Sequence, residues 1–76
     1  MARVRHIEIA DGKGNAHPTE VDARVKVFGD GANGPVVQVD TFGSTDRDLP
    51  GKLSQTIQFD RTSGLRLLEI LEKAYR

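Results

Sequence analysis

The sequence predicts an α+β domain: a four-stranded antiparallel meander followed by one C-terminal helix, in the order ββββα. Three observations predict it. Apolar and polar residues alternate at a period of two in four separate runs. Loops rich in Gly, Asp, Asn and Pro separate those runs. The period then changes once, to a helical spacing that holds from about Leu65 onward.

The first strand is expected over Arg3 to Ile9, where Ile7 and Ile9 alternate with His6 and Glu8. It stops at Ala10-Asp11-Gly12-Lys13-Gly14-Asn15, and His17-Pro18 extends the break. The second strand, Glu20 to Phe28, has the clearest period. Val21, Ala23, Val25 and Val27 point one way, and Glu20, Asp22, Arg24 and Lys26 the other. That pattern belongs to a half-buried antiparallel strand. Gly29-Asp30-Gly31-Ala32-Asn33-Gly34 supplies the turn. The third strand runs from Pro35 to about Phe42. Val37, Val39 and Thr41 oppose Val36, Gln38, Asp40 and Phe42, so both sides carry apolar residues and the register stays open. A second loop, Gly43 to Gly51, leads to the fourth strand, Lys52 to Phe59. There Leu53, Ile57 and Phe59 face inward, with Gln55 the odd member.

The helix follows. Leu67, Leu68, Leu71 and Tyr75 form a stripe that Ile70 and Ala74 widen. Asp60, Thr62 or Ser63 can cap it by accepting a backbone N–H. Laid over the sheet, it would bury Val21, Val25, Val27, Val39, Ile57, Phe59, Leu67, Leu68 and Leu71 together. The other sheet face is then left wet, with Arg24, Lys26, Gln38, Lys52, Ser54, Thr56 and Gln58 on it and Phe42 near its edge.

Seventy-six residues allow a single domain, 1–76. So short a chain buries only about 60% of its unfolded surface. No cysteine is present, so neither a disulfide nor a thiolate metal site can help. A homodimer is the expected source of further stability; the helix carries more apolar surface than one sheet can cover. Eleven basic residues balance eleven acidic ones, which removes the bulk electrostatic argument for nucleic-acid binding and leaves room for a local basic strip. There is no signal-peptide pattern and no run of eighteen apolar residues, so a soluble, cytoplasmic protein with no membrane partner is expected.

Catalytic chemistry finds little support. His6 and His17 lack companions at metal-ligand spacing, and no metal site is expected. Asp46-Arg47-Asp48 reads as a solvated turn with local ion pairing. The glycines of 29–34 open no helix, so the phosphate-loop context is missing. No serine or threonine sits in a nucleophile motif. The expectation is a protein that is no enzyme and needs no cofactor.

A binding face fits better. Sheet platforms hold single strands by stacking bases on aromatics while Lys and Arg follow the phosphates. Val39-Asp40-Thr41-Phe42, Pro50-Gly51-Lys52, Thr56-Ile57-Gln58-Phe59-Asp60 and the Leu67, Leu68, Leu71 stripe resemble the corresponding motifs of one family. It is the single-stranded DNA-binding domain of transcriptional positive cofactor four and its small bacterial or phage relatives. The resemblance covers about half of the chain. It implies a four-stranded curved sheet with one C-terminal helix, a symmetric dimer, and binding of single-stranded or unwound DNA in transcription or replication. The chain departs from the family pattern at Asp40, where a basic residue is usual, and in its zero net charge.

On this reading Arg24, Lys26, Arg47 and Lys52 meet phosphates and Phe42 stacks on a base. Gln38, Ser54, Thr56 and Gln58 then hydrogen-bond to backbone or base edges. The alternative is a small protein-binding regulator or inhibitor that uses the same face or an open strand edge.

Overall fold

A computed structural model describes residues 1–29, 34–43 and 53–76. Its elements are β1 (Ala2–Val4), β2 (Asp22–Gly29), β3 (Pro35–Phe42), β4 (Leu53–Phe59) and α1 (Arg61–Tyr75). The fold is α+β, with one four-stranded sheet and a C-terminal helix. The sheet order is β1-β4-β3-β2.

The expected meander is corrected at its first member. β2 and β3 pair antiparallel, as do β3 and β4, but β1 lies parallel to β4 through Ala2↔Ile57, Arg3↔Gln58 and Val4↔Phe59. The sheet is therefore mixed. The run Arg3 to Ile9 keeps its strand character only at its start; residues 5–21 have no regular structure, and Ile9 is 65% exposed. The reason is topological. β3 lies between β2 and β4, so a strand at the N-terminus can join only an outer edge; it takes that of β4, and that of β2 has no partner among the described residues.

The open register of β3 is settled by its two neighbours. Val25↔Val39↔Ile57 and Val27↔Val37↔Phe59 cross the sheet in line. β1 adds Ala2 and Val4 to the same two rows. Between Thr41 and Phe42 the pairing jumps, from Thr41↔Gln55 to Phe42↔Leu53, which leaves Ser54 as the extra residue of a bulge. Gly34 enters β3 at φ 81°, a left-handed conformation that a side chain would strain.

The cap of α1 is Asp60. Its Oδ1 accepts the Ser63 backbone N–H at 3.0 Å, and Ser63 Oγ accepts the Asp60 N–H at 3.2 Å, a reciprocal capping box. Ser63 is 1% exposed, the most buried residue of the helix. The Ser63 N–H is the main cause that holds the Asp60 carboxyl below its ordinary 3.8. Burial opposes it, and the Ser63 hydroxyl, the Arg3 charge and the Thr62 N–H add to the lowering.

The expected core is also corrected. Val36, which the alternation put on the wet side, is the one buried hydrophobic side chain among the described residues, at 3% exposure. Val21, Val25, Val27, Ile57, Leu68 and Leu71 are exposed, while Val39, Phe59 and Leu67 are half-buried. The helix does not lie across the apolar rows. It meets the sheet where β3 begins and β4 ends, with Gly64 against Phe59 and with Arg61 and Leu65 beside Pro35 and Val37. Its stripe predicts which side is apolar, but an amphipathic pattern does not say what covers that side.

Candidate functional site

The two faces of the sheet differ sharply. One carries the apolar rows. A groove of about 370 Å³ opens there, lined by Met1, Ala2, Val39, Thr41, Gln55 and Ile57 among others. The other face carries the polar row that the sequence marks out. Lys26↔Gln38↔Gln58↔Arg3 crosses all four strands, and Arg24↔Asp40↔Thr56 runs beside it.

The middle of this face is joined by hydrogen bonds. Gln58 Nε2 donates to Gln38 Oε1 at 2.8 Å. Gln38 Nε2 donates to Asp40 Oδ1 and Oδ2 at 3.0 and 3.3 Å. Thr56 Oγ1 donates to Asp40 Oδ1 at 2.7 Å. Gln38 is only 7% exposed, so its amide depends on these partners. No buried side-chain polar atom among the described residues is left without a partner. The Thr56 hydroxyl is the main cause that lowers the Asp40 carboxyl from its ordinary 3.8. Partial burial opposes it, and Gln38 and the Lys26 charge lower it further.

The cationic part lies around this centre. The Arg24 guanidinium stands 5.0 Å from the centroid of the Phe42 ring. That distance is within reach of a cation–π contact. Lys26 and Arg3 sit at the two ends of the amide row, three strand spacings apart, roughly 14 Å.

Of the residues expected to form the site, the structure brings together Arg24, Lys26, Gln38, Phe42, Thr56 and Gln58. Ser54 falls at the bulge, out of the regular alternation. Arg47 and Lys52, with the whole Pro50-Gly51-Lys52 motif, lie outside the described residues. One residue of the face escaped the sequence reading. Arg3 joins it through the parallel β1–β4 pair, which no local pattern announces. Asp40, which the i, i+2 spacing already put on one face with Gln38, is its hub, a role as acceptor that the spacing did not announce.

His6 Nε2 lies 3.4 Å from Glu8 Oε1, and His17 Nδ1 accepts the Thr19 N–H at 3.0 Å. Among the described residues no three His, Asp or Glu side chains are grouped to hold a metal, and no helix is long and apolar enough to cross a membrane. No family model matches the sequence, and searches of curated proteins and of solved structures return no match.

Proposed function

We propose that the chain binds single-stranded or unwound nucleic acid along its polar sheet face, as a homodimer and without strong sequence preference. The observation that carries this reading is Arg24 over Phe42 on the face that also holds Lys26 and Arg3. An aromatic ring with a guanidinium beside it is a stacking platform for bases, and flanking cations attract a phosphate chain. Gln38 and Thr56 use their donors on Asp40. Gln58 donates to Gln38 in turn, so base-edge contacts in this reading fall to its remaining hydrogen-bonding capacity, and the network around the Asp40 carboxylate serves to hold the platform flat. Arg47 and Lys52 add phosphate contacts in this reading. The motifs shared with positive cofactor four point the same way.

The test is a titration of labelled oligo-dT at two salt concentrations. Affinity falls as salt rises, in proportion to the phosphates neutralised. Lys26→Ala lowers that slope by about one phosphate's worth, whereas Phe42→Ala costs about 1–3 kcal/mol of binding and leaves the slope alone. The absence of binding at low salt would sink the proposal. It would favour the second reading, a protein-binding module, which the exposure of Val25 and Val27 supports.

A further inference from the structure

Strand β2 ends the sheet, and its outer edge has no partner among the described residues. Every residue on it is exposed, Val25 and Val27 by 62% and 64%. A bare edge of eight residues is a template for another strand. The whole chain is short of cover as well. It exposes 6569 Å², about 2,000 Å² more than the roughly 4,600 Å² of a compact protein of 8.3 kDa. Its Cα radius of gyration is 14.6 Å, against about 11 Å for a compact domain of this length. Residues 5–21, which have no regular structure, carry part of that surplus, and the uncovered apolar side chains of β2 another part.

The edge is complementary to itself. Glu20-Val21-Asp22-Ala23-Arg24-Val25-Lys26 reads acid, apolar, acid, small, base, apolar, base. Two copies set antiparallel with Ala23 opposite Ala23 place Asp22 opposite Arg24, Glu20 opposite Lys26 and Val21 opposite Val25. Opposite residues of antiparallel strands share a face, so each ion pair forms twice on one side and each valine pair twice on the other. Neighbouring registers fail. A slip of two residues in one direction sets Arg24 against Arg24, and in the other Asp22 against Asp22. A slip of one residue puts the two apolar sets on opposite faces. Glu20 and Val21 lie just before β2 begins, beyond the reach of β3, whose pairing ends at Asp22↔Phe42.

We propose that β2 pairs antiparallel with β2 of a second copy, about a two-fold axis through Ala23, joining two four-stranded sheets into one of eight strands. The axis stands perpendicular to the sheet, so the two polar faces lie side by side. This pairing goes beyond the nucleic-acid reading and holds whether or not that face takes an oligonucleotide.

The chain lacks cysteine, so single substitutions report position. Ala23→Cys under mild oxidation gives a covalent dimer, because residues opposite each other are about 4.5–5.5 Å apart at Cα, within disulfide range. Val25→Cys and Val27→Cys do not, since each lies four or more residues, at least about 13 Å, from its own copy. In the cysteine-free chain, sedimentation equilibrium gives twice the 8.3 kDa chain mass. Asp22→Lys weakens that dimer about tenfold, and adding Arg24→Glu restores it, because the swapped charges again face each other. A chain of single mass at tens of micromolar overturns the proposal. So does a dimer that Ala23→Cys fails to lock, one that all three variants lock equally, or one that Asp22→Lys leaves unchanged.

Discussion

Gln58→Leu should destabilise the fold more than its half-exposed position suggests. Gln38 Oε1 accepts from Gln58 Nε2 at 2.8 Å, and Gln38 is 7% exposed. Removing the donor leaves a buried acceptor unpaired, at a cost of about 1–3 kcal/mol. Gln38→Leu has a different outcome. The amide disappears, Asp40 keeps its bond from Thr56, and the abandoned Gln58, being half-buried, can turn to water. Its cost is about 1 kcal/mol. The double variant strands no acceptor and fills the site with two apolar chains of similar length. It should therefore be less destabilised than the sum of the single variants, with a coupling of about 1–2 kcal/mol. In a chain of this size 1 kcal/mol moves Tm by about 4–8 °C. Urea and thermal unfolding followed by far-ultraviolet circular dichroism measure all four proteins. They must be compared at one protein concentration, because association adds stability. Additivity within about 0.5 kcal/mol would refute the reasoning, since each amide would then be solvated independently.

Ser63→Ala deletes the hydroxyl that accepts the Asp60 N–H and should cost about 1 kcal/mol, read as a lower Tm with unchanged strand signal. Stability should also fall in acid. Both Asp40 and Asp60 have folded pKa values below their ordinary 3.8. Their contributions are complete above the unfolded value and are lost as pH drops through the folded ones. Tm should thus hold steady between about pH 7 and 5 and decline below about pH 4. Asp60→Asn still accepts from the Ser63 N–H without titrating, so its acid decline should be shallower. An identical decline would remove Asp60 as a cause.

β2, β3 and β4 were legible because alternation is local: Val25 and Val27 declare a face without reference to any other strand. The Asp60–Ser63 cap was legible for the same reason, as one of three candidates within a turn. Pairing is not local. Val4 gives no sign that it will lie beside Phe59 rather than lead a hairpin, so the parallel edge and Arg3's place on the polar face were hidden. The row Gln38, Thr56, Gln58 could be drawn from alternation, but not the bonds within it. Those depend on the β3 register, which the valines on both sides left open. Asp40 therefore read as a misplaced acid on a binding face, whereas Asp40↔Thr56 makes it the acceptor that organises that face. The helix was legible as an element and illegible as a cover. Leu68 and Leu71 belong to its stripe, yet are 50% and 40% exposed, because burial depends on the angle at which the helix leaves β4.

The parallel pairing of β1 with β4 bears on the order of assembly. β2 and β3 are joined by a short connection and can zip as soon as both have left the ribosome; β4 and the capped helix follow in turn. β1 is made before the other three strands and is seated only after β4. Its partners Ile57, Gln58 and Phe59 are synthesised more than fifty residues later, and it offers only three residues of ladder to offset the closure of so long a loop. The residues of β1 thus remain untethered until β4 has been made. In the finished protein the same short, distant ladder should be the first to open, releasing Arg3 from the polar face while β2, β3 and β4 stay paired.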